Sequence, residues 1–217
     1  MKKGNFPMAL MLLAAFALWT AAVSFVDVQP IGPEGSSVGF ATLNGFVHNL
    51  TGVNWMLYTI TDWLGLVPIL FAAGFALLGL VQWIQRKNVW KVDCSILLMG
   101  GFYAVTIGFF VFFECFVVNH RPVLIDGCLE TSYPSSTTML VMCVMPTAMM
   151  QLRERIRNRM LHNGVTAGIA VFTVLMVAGR LLSGVHWLTD IIGGALLSAG
   201  LVMLYDSILK RRKEHVK

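Results

Sequence analysis

Charge is what this sequence has least of. Only 12% of its 217 residues are Asp, Glu, Lys or Arg, against 57% that are hydrophobic. A soluble domain carries roughly twice that charged share. A water-soluble globule is thereby excluded, and the composition reads as one integral membrane domain over residues 1–217. Cysteine is scarce too. Cys94, Cys115, Cys128 and Cys143 form no Cys-x-x-Cys pair and no zinc-like spacing, so neither a metal site nor a metal cofactor is expected. A Cys115–Cys128 bridge is the one pairing left open. Internal repeats, low-complexity tracts and long linkers are missing. Nucleic acid is not an expected partner, because the basic clusters abut apolar spans and act as topology signals.

Apolar runs of membrane length are plentiful. They cover Phe6–Val26, Leu64–Ile84, Ser95–Val118, Thr138–Met150, Val165–Leu182 and Trp187–Leu204. About 20 residues suffice to cross the hydrocarbon core; the fourth run is shorter and extendable at its start. The first run is long for a cleaved signal peptide and ends in no small-x-small site, so it counts as a span. The expected fold is therefore all-α, a polytopic six-helix bundle. Gly100, Gly101 and Gly108 would allow close helix approach in the third run. Val28–Asp62 holds Pro30, Pro33 and a Gly-Ser group, and reads as an outside segment with an interfacial helix around Phe40–Leu50. Asn49-Leu50-Thr51 fits a glycosylation sequon, a triplet common by chance.

The basic residues fix the orientation. Lys2 and Lys3, then Arg86, Lys87 and Lys91, then Arg153, Arg155, Arg157 and Arg159, then Lys210–Lys213 all fall on one side of six spans. The positive-inside rule places that side, and both termini, in the cytoplasm. Loops near residues 27–62, 119–136 and 183–186 then face outward, and the expected location is a bacterial plasma membrane.

Three polar stretches share that outer face. Gly179–Asp190 (GRLLSGVHWLTD) brings Arg180, His186 and Asp190 into a run otherwise apolar enough to span. Ionisable groups cost roughly 2.5–3.5 kcal/mol each at membrane depth, so three together mark a functional site. His186 and Asp190 are four apart, which on a helix puts them on one face. The carboxylate can then hold one ring nitrogen and leave the other free to attack. Asn119-His120-Arg121-Pro122 supplies a second arginine, whose planar fork suits phosphate. Tyr133-Pro134-Ser135-Ser136-Thr137-Thr138 opens the fourth span, and a helix N-terminus with hydroxyls makes an anion cradle. Read separately, these are a buried ion pair, a helix end and a helix cap. Read jointly, they describe a pocket for a lipid phosphate.

Taken together the stretches resemble the type 2 phosphatidic acid phosphatase family, with its Lys-x6-Arg-Pro, Pro-Ser-Gly-His and Ser-Arg-x5-His-x3-Asp motifs on six membrane helices. Arg180, His186 and Asp190 match the third motif, with Gly179 in place of its serine. Arg121-Pro122 ends the first and Pro134-Ser135 begins the second, in a phosphatase-like core at about residues 64–205. The resemblance implies that His186 attacks phosphorus to give a phosphohistidine and that Asp190 orients it. It implies that Arg121, Arg180 and Ser135 hold the phosphoryl oxygens, with Ser136 and Thr137 at the same helix start. Glu114 stands where the first motif has lysine, and Ser136 and Thr137 where the second has glycine and histidine. The usual leaving-group acid is therefore absent. Glu114 or His120 can replace it, or Glu114 is an arginine's ion-pair partner. The expected activity is cleavage of an isoprenoid or glycerolipid phosphate or diphosphate at the outer face, without a cofactor. The alternative is an inactive phospholipid-binding or scaffold protein on the same fold.

Overall fold

The computed structural model describes residues 6–215, without the side chains of residues 213 and 215. Lys2 and Lys3 of the first basic cluster lie outside them. The chain forms helices α1 (Phe6–Phe25), α2 (Ala41–Thr51), α3 (Trp55–Leu64), α4 (Leu66–Arg86), α5 (Cys94–Cys115), α6 (Ser136–Arg155), α7 (Arg159–Leu182) and α8 (Leu188–His215). Among the described residues there is no strand, only isolated bridges such as His120–Thr131.

Five helical stretches are long and apolar enough to cross a membrane: Phe6–Phe25, Trp55–Arg86, Cys94–Cys115, Arg159–Leu182 and Leu188–Arg212. The protein is thus an integral membrane protein. The second stretch differs from expectation. α3 runs almost without a break into α4, so the polar segment after α1 stops near Asn54, which caps α3 through its side chain. Asp62 lies inside this helical stretch, beside the end of α7 that carries Arg180.

α6 stands apart. It packs against α4, α5, α7 and α8, and Met139, Val141, Cys143, Met145 and Ala148 are buried there with Thr138, Thr147 and Gln151. A helix enclosed by protein can carry such hydroxyls and amides, because helical neighbours satisfy them. Thr147 donates to the Cys143 carbonyl at 2.8 Å, and Gln151 donates to the Tyr205 hydroxyl at 2.7 Å. α1 lies along α8, and its Phe16 ring meets Phe113 and Tyr133 at 5.7 and 6.3 Å between centroids.

Two glycines set the end of the bundle that matters. Gly193 lets the Tyr133 ring lie on α8, since a Cβ there would sit 2.6 Å from that ring. Gly184 turns from α7 towards α8 at φ +69°, in the left-handed region where glycine is at ease. A Cβ at Gly184 would meet the Gly52 carbonyl at 1.8 Å. Gly100, Gly101 and Gly108 behave otherwise: nothing lies within 4 Å of where their Cβ atoms would be. The room they leave for close helix approach is not taken up by a described neighbour. Cys115 and Cys128 are both free thiols, so the open disulfide pairing is not formed.

Candidate active site

The ends of α5 and α7 and the starts of α6 and α8 meet at one end of the bundle. The basic residues Arg86, Arg155 and Lys210 belong to the opposite ends of α4, α6 and α8. His186 precedes the first turn of α8, so the expected shared helix face with Asp190 is replaced by a tighter local arrangement. Nδ1 of His186 is 3.8 Å from Oδ2 of Asp190, and the Ser132 hydroxyl stands between them. Ser132 donates to Asp190 Oδ2 and lies 3.0 Å from His186 Nδ1. A hydroxyl has one proton to give, so Ser132 accepts from Nδ1–H. This hydrogen-bond pattern assigns the proton to Nδ1 and leaves the lone pair on Nε2.

Asp190 is fully buried, and a carboxylate is tolerable there only if its oxygens are occupied. Besides Ser132, the Trp187 N–H donates to Oδ2 at 2.8 Å and the Asn119 amide to Oδ1 at 3.4 Å. A second row holds the first. Asn44 of α2 donates to the Thr189 hydroxyl at 2.9 Å and accepts from the Thr189 N–H at 3.2 Å. Asn119 accepts from the Gly39 N–H at 3.2 Å.

On its other side, His186 Nε2 is 3.3 Å from a terminal nitrogen of Arg121. The guanidinium donates to the free lone pair. Arg121 reaches this point from a loop whose two arms meet in the isolated His120–Thr131 bridge, with the Arg121 N–H bonded to the Glu130 carbonyl at 3.0 Å. The Glu130 carboxylate stands 3.0 Å from Arg121 Nε, yet this nitrogen has no hydrogen bond of acceptable angle. The contact is thus a charge pair that leaves the N–H itself unused. Arg180 is 1% exposed and leans towards α3, with a terminal nitrogen 3.4 Å from the Thr61 hydroxyl and 3.7 Å from Asp62 Oδ1. The Tyr58 ring centroid is 5.0 Å from its guanidinium carbon. Its Nε is also buried without an acceptor among the described residues. An unmatched buried donor costs about 1–3 kcal/mol, more when charged. Both arginines therefore keep a donor that an anion would satisfy.

Ser135 caps α6 by accepting from the Thr138 N–H at 3.4 Å, and its own N–H donates to the Asp190 carbonyl at 3.1 Å. Ser136 and Thr137 form the first turn of α6. Ser136 lines a water-sized cavity of about 10 Å³ together with His186, Ser132 and Glu114. α5 ends at Cys115, so Glu114 and Arg121 share no helix face. Glu114 is exposed and accepts from the Thr131 hydroxyl at 2.7 Å; the carboxylate beside Arg121 is Glu130. His120 gives its carbonyl to the Trp187 indole N–H at 2.7 Å. Burial pushes the His186 imidazole down to about 4, against an ordinary 6.5.

Sequence reasoning passed over Ser132, Asn44, Thr189 and Glu130. Ser132 sits two residues before Pro134 in a polar stretch that had been noticed, but only the fold brings it between His186 and Asp190.

The PAP2 superfamily sequence model matches residues 98–214 of the chain. Among solved structures the chain is similar to a transmembrane PAP2-type phosphatidylglycerolphosphate phosphatase from Bacillus subtilis. The TM-score is 0.68 and the identity 19%, over 96% of this chain and 97% of that one. At this identity the likeness is one of fold. No curated protein matches the chain.

Proposed function

The chain belongs to the PAP2 superfamily, and from that premise we propose that it cleaves a lipid phosphate through a phosphohistidine at His186. The observation that carries the proposal is the Nε2 lone pair of a neutral, Nδ1-protonated imidazole, faced by Arg121 and backed by Ser132 and Asp190. Nε2 attacks phosphorus; the bond to the leaving oxygen breaks, and the electron pair departs on a lipid alkoxide or, from a diphosphate, on a lipid monophosphate. Water then attacks the phosphohistidine, the P–N bond breaks, the lone pair returns to Nε2, and the proton that water gives up balances the one the alkoxide takes from solvent. Arg121 and Arg180 offer their unused Nε–H donors to the phosphoryl oxygens, and the α6 start adds free backbone N–H groups at Ser136 and Thr137. Arg121 must swing off His186 as phosphate enters, exchanging a nitrogen acceptor for a charged oxygen, which is the stronger bond.

The substrate class proposed is an isoprenoid or glycerolipid phosphate or diphosphate. α6 is taken as a sixth span, since its 20 residues reach about 30 Å at the usual helical rise. The site then lies opposite the basic ends, on the extracytoplasmic face. With the exposed Cys94, Cys115 and Cys128 changed to serine, a cysteine placed at the exposed Asp126 should react with an impermeant thiol reagent from outside intact cells, and one at Asn158 should not; the reverse pattern would overturn the orientation. Purified protein should release phosphate from at least one lipid of a monophosphate and diphosphate panel. Binding of those lipids without any release would favour the non-catalytic reading, which the small cavity and the Glu130–Arg121 pair support.

Glu130 carries a further expectation. Its carboxylate occupies one side of Arg121 and competes with a phosphoryl oxygen. Glu130 is 43% exposed at its side chain, so solvent screens the pair and its worth is about 0.2–1 kcal/mol. Glu130→Gln should therefore tighten orthophosphate or vanadate inhibition by up to about fivefold. Weaker inhibition in this variant would show that Glu130 positions Arg121 rather than competing for it.

A further inference from the structure

A wide cavity lies far from His186, between α5 and α8 near the basic end of the bundle. Its volume is about 550 Å³. The walls are helical stripes. Leu97, Gly101 and Val105 recur at turn spacing on α5, and Leu201, Ile208 and Arg212 do so on α8. Phe102 and Tyr205 meet across it, 5.3 Å between ring centroids. Gly101 gives the groove depth: nothing lies within 4 Å of where its Cβ would be. From Cys94 to Val105 the groove runs about 16 Å at the usual helical rise. That is about half of the ~30 Å hydrocarbon core, the depth of one leaflet.

Charge is placed at one end only. Arg212, the last residue of the α8 wall, and Trp90, exposed on the short turn before α5, mark the mouth. An indole at that level is typical of the membrane–water boundary. The neighbouring carboxylate, Asp93, is already engaged by Arg86 at 3.1 Å and Arg155 at 3.7 Å. The groove therefore offers an apolar slot of leaflet depth that ends at the exposed cation of Arg212.

We propose that this groove binds an anionic glycerophospholipid of the leaflet on the basic side, one acyl chain between α5 and α8 and its phosphate against Arg212. A zwitterionic lipid fits the slot equally well but brings an ammonium group, which the Arg212 cation at the mouth repels. The site is separate from the reaction centre and does not depend on the activity proposed above.

Native mass spectrometry of the full chain, purified with equimolar phosphatidylglycerol and phosphatidylcholine, tests this. The wild type should retain one lipid with a preference for phosphatidylglycerol. Arg212→Gln lies on an exposed position and should fold normally; it should erase most of that preference, a change of about fivefold, the size expected for one basic residue against one anionic lipid. Gly101→Leu fills the slot and should abolish retention of both lipids. Arg121→Ala, at the other end, should change neither. An unaltered preference in Arg212→Gln would overturn the proposal. So would retention that falls in Arg121→Ala and survives in Gly101→Leu, since the lipid would then sit at the reaction centre.

Discussion

His186→Ala should lower phosphate release from the best lipid substrate by roughly 10⁴–10⁶-fold, as loss of a nucleophile does where nothing else can form the covalent intermediate. The protein should still fold, because the imidazole fills little space and its loss leaves the Asn119 and Trp187 contacts of Asp190 in place. Rapid acid-free quenching with labelled substrate should trap phosphate on the wild-type protein and none on the variant. Residual turnover within tenfold of wild type would exclude His186 as nucleophile. The pH profile is the companion measurement. Burial holds the His186 imidazole at about 4, and attack needs the neutral form. The enzyme limb of kcat/KM, which reports the free protein, should thus stay level from neutrality down to about pH 4 instead of falling near 6.5. Stability runs the same way. Between pH 6.5 and 4 the unfolded chain takes up a proton at this residue that the folded chain refuses. Folding is therefore weakened as pH falls through that window. A kcat/KM that halves near pH 6.5 would mean that the imidazole is not desolvated in the working protein.

A lipid diphosphate should turn over faster than the matching monophosphate, by up to about 10²–10⁴-fold, the usual worth of a positioned general acid. The reason is Thr137, which stands where the family's second motif has histidine. A departing phosphate is a weak base and leaves without help, whereas an alkoxide needs a proton as the bond breaks. Thr137→His should narrow the gap by raising the monophosphate rate more than the diphosphate rate. Glu114→Gln then separates the remaining options. Glu114 lines the same small cavity as His186, so activity should collapse in this variant if the carboxyl donates the proton. It should survive if Glu114 only holds the Thr131 hydroxyl. Equal rates on both substrates with a harmless Glu114→Gln would point to another acid and end this account.

How much could be read from sequence depended on range. Helices α1, α5, α7 and α8 declared themselves by unbroken apolar runs, because each has a face on lipid. α6 was the weakest of the six runs for a physical reason: helices surround it, so Thr147 and Gln151 can be satisfied there without loss. α3 went unread, since Asn54 and Asp62 made its surroundings look like a polar loop. In the site, the spacing of Arg180, His186 and Asp190 was legible as a local pattern. The carboxylate beside Arg121 was not, because Glu114 looked like a helical partner only if α5 continued past Cys115. Ser132 shows the same limit. A serine 54 positions from the histidine it touches has no periodicity to announce it.

One feature of the first helix bears on how the family's shared core can be handled. The matched segment begins at residue 98, yet α1 and α2 both hold its chemistry in place. The Trp19 indole donates to the Thr189 carbonyl at 3.1 Å, Thr20 shares a hydrogen bond of 2.7 Å with the Tyr133 hydroxyl, and Asn44 clasps Thr189. Residues 98–214 are therefore an inherited pattern and not an autonomous machine. Transplanting that segment behind the N-terminal helices of another relative would carry over the histidine and both arginines but lose the tethers that aim them. Chimaeras cut at the boundary of sequence similarity should insert into membranes and remain idle, unless the partners of Thr189 and Tyr133 travel with the graft.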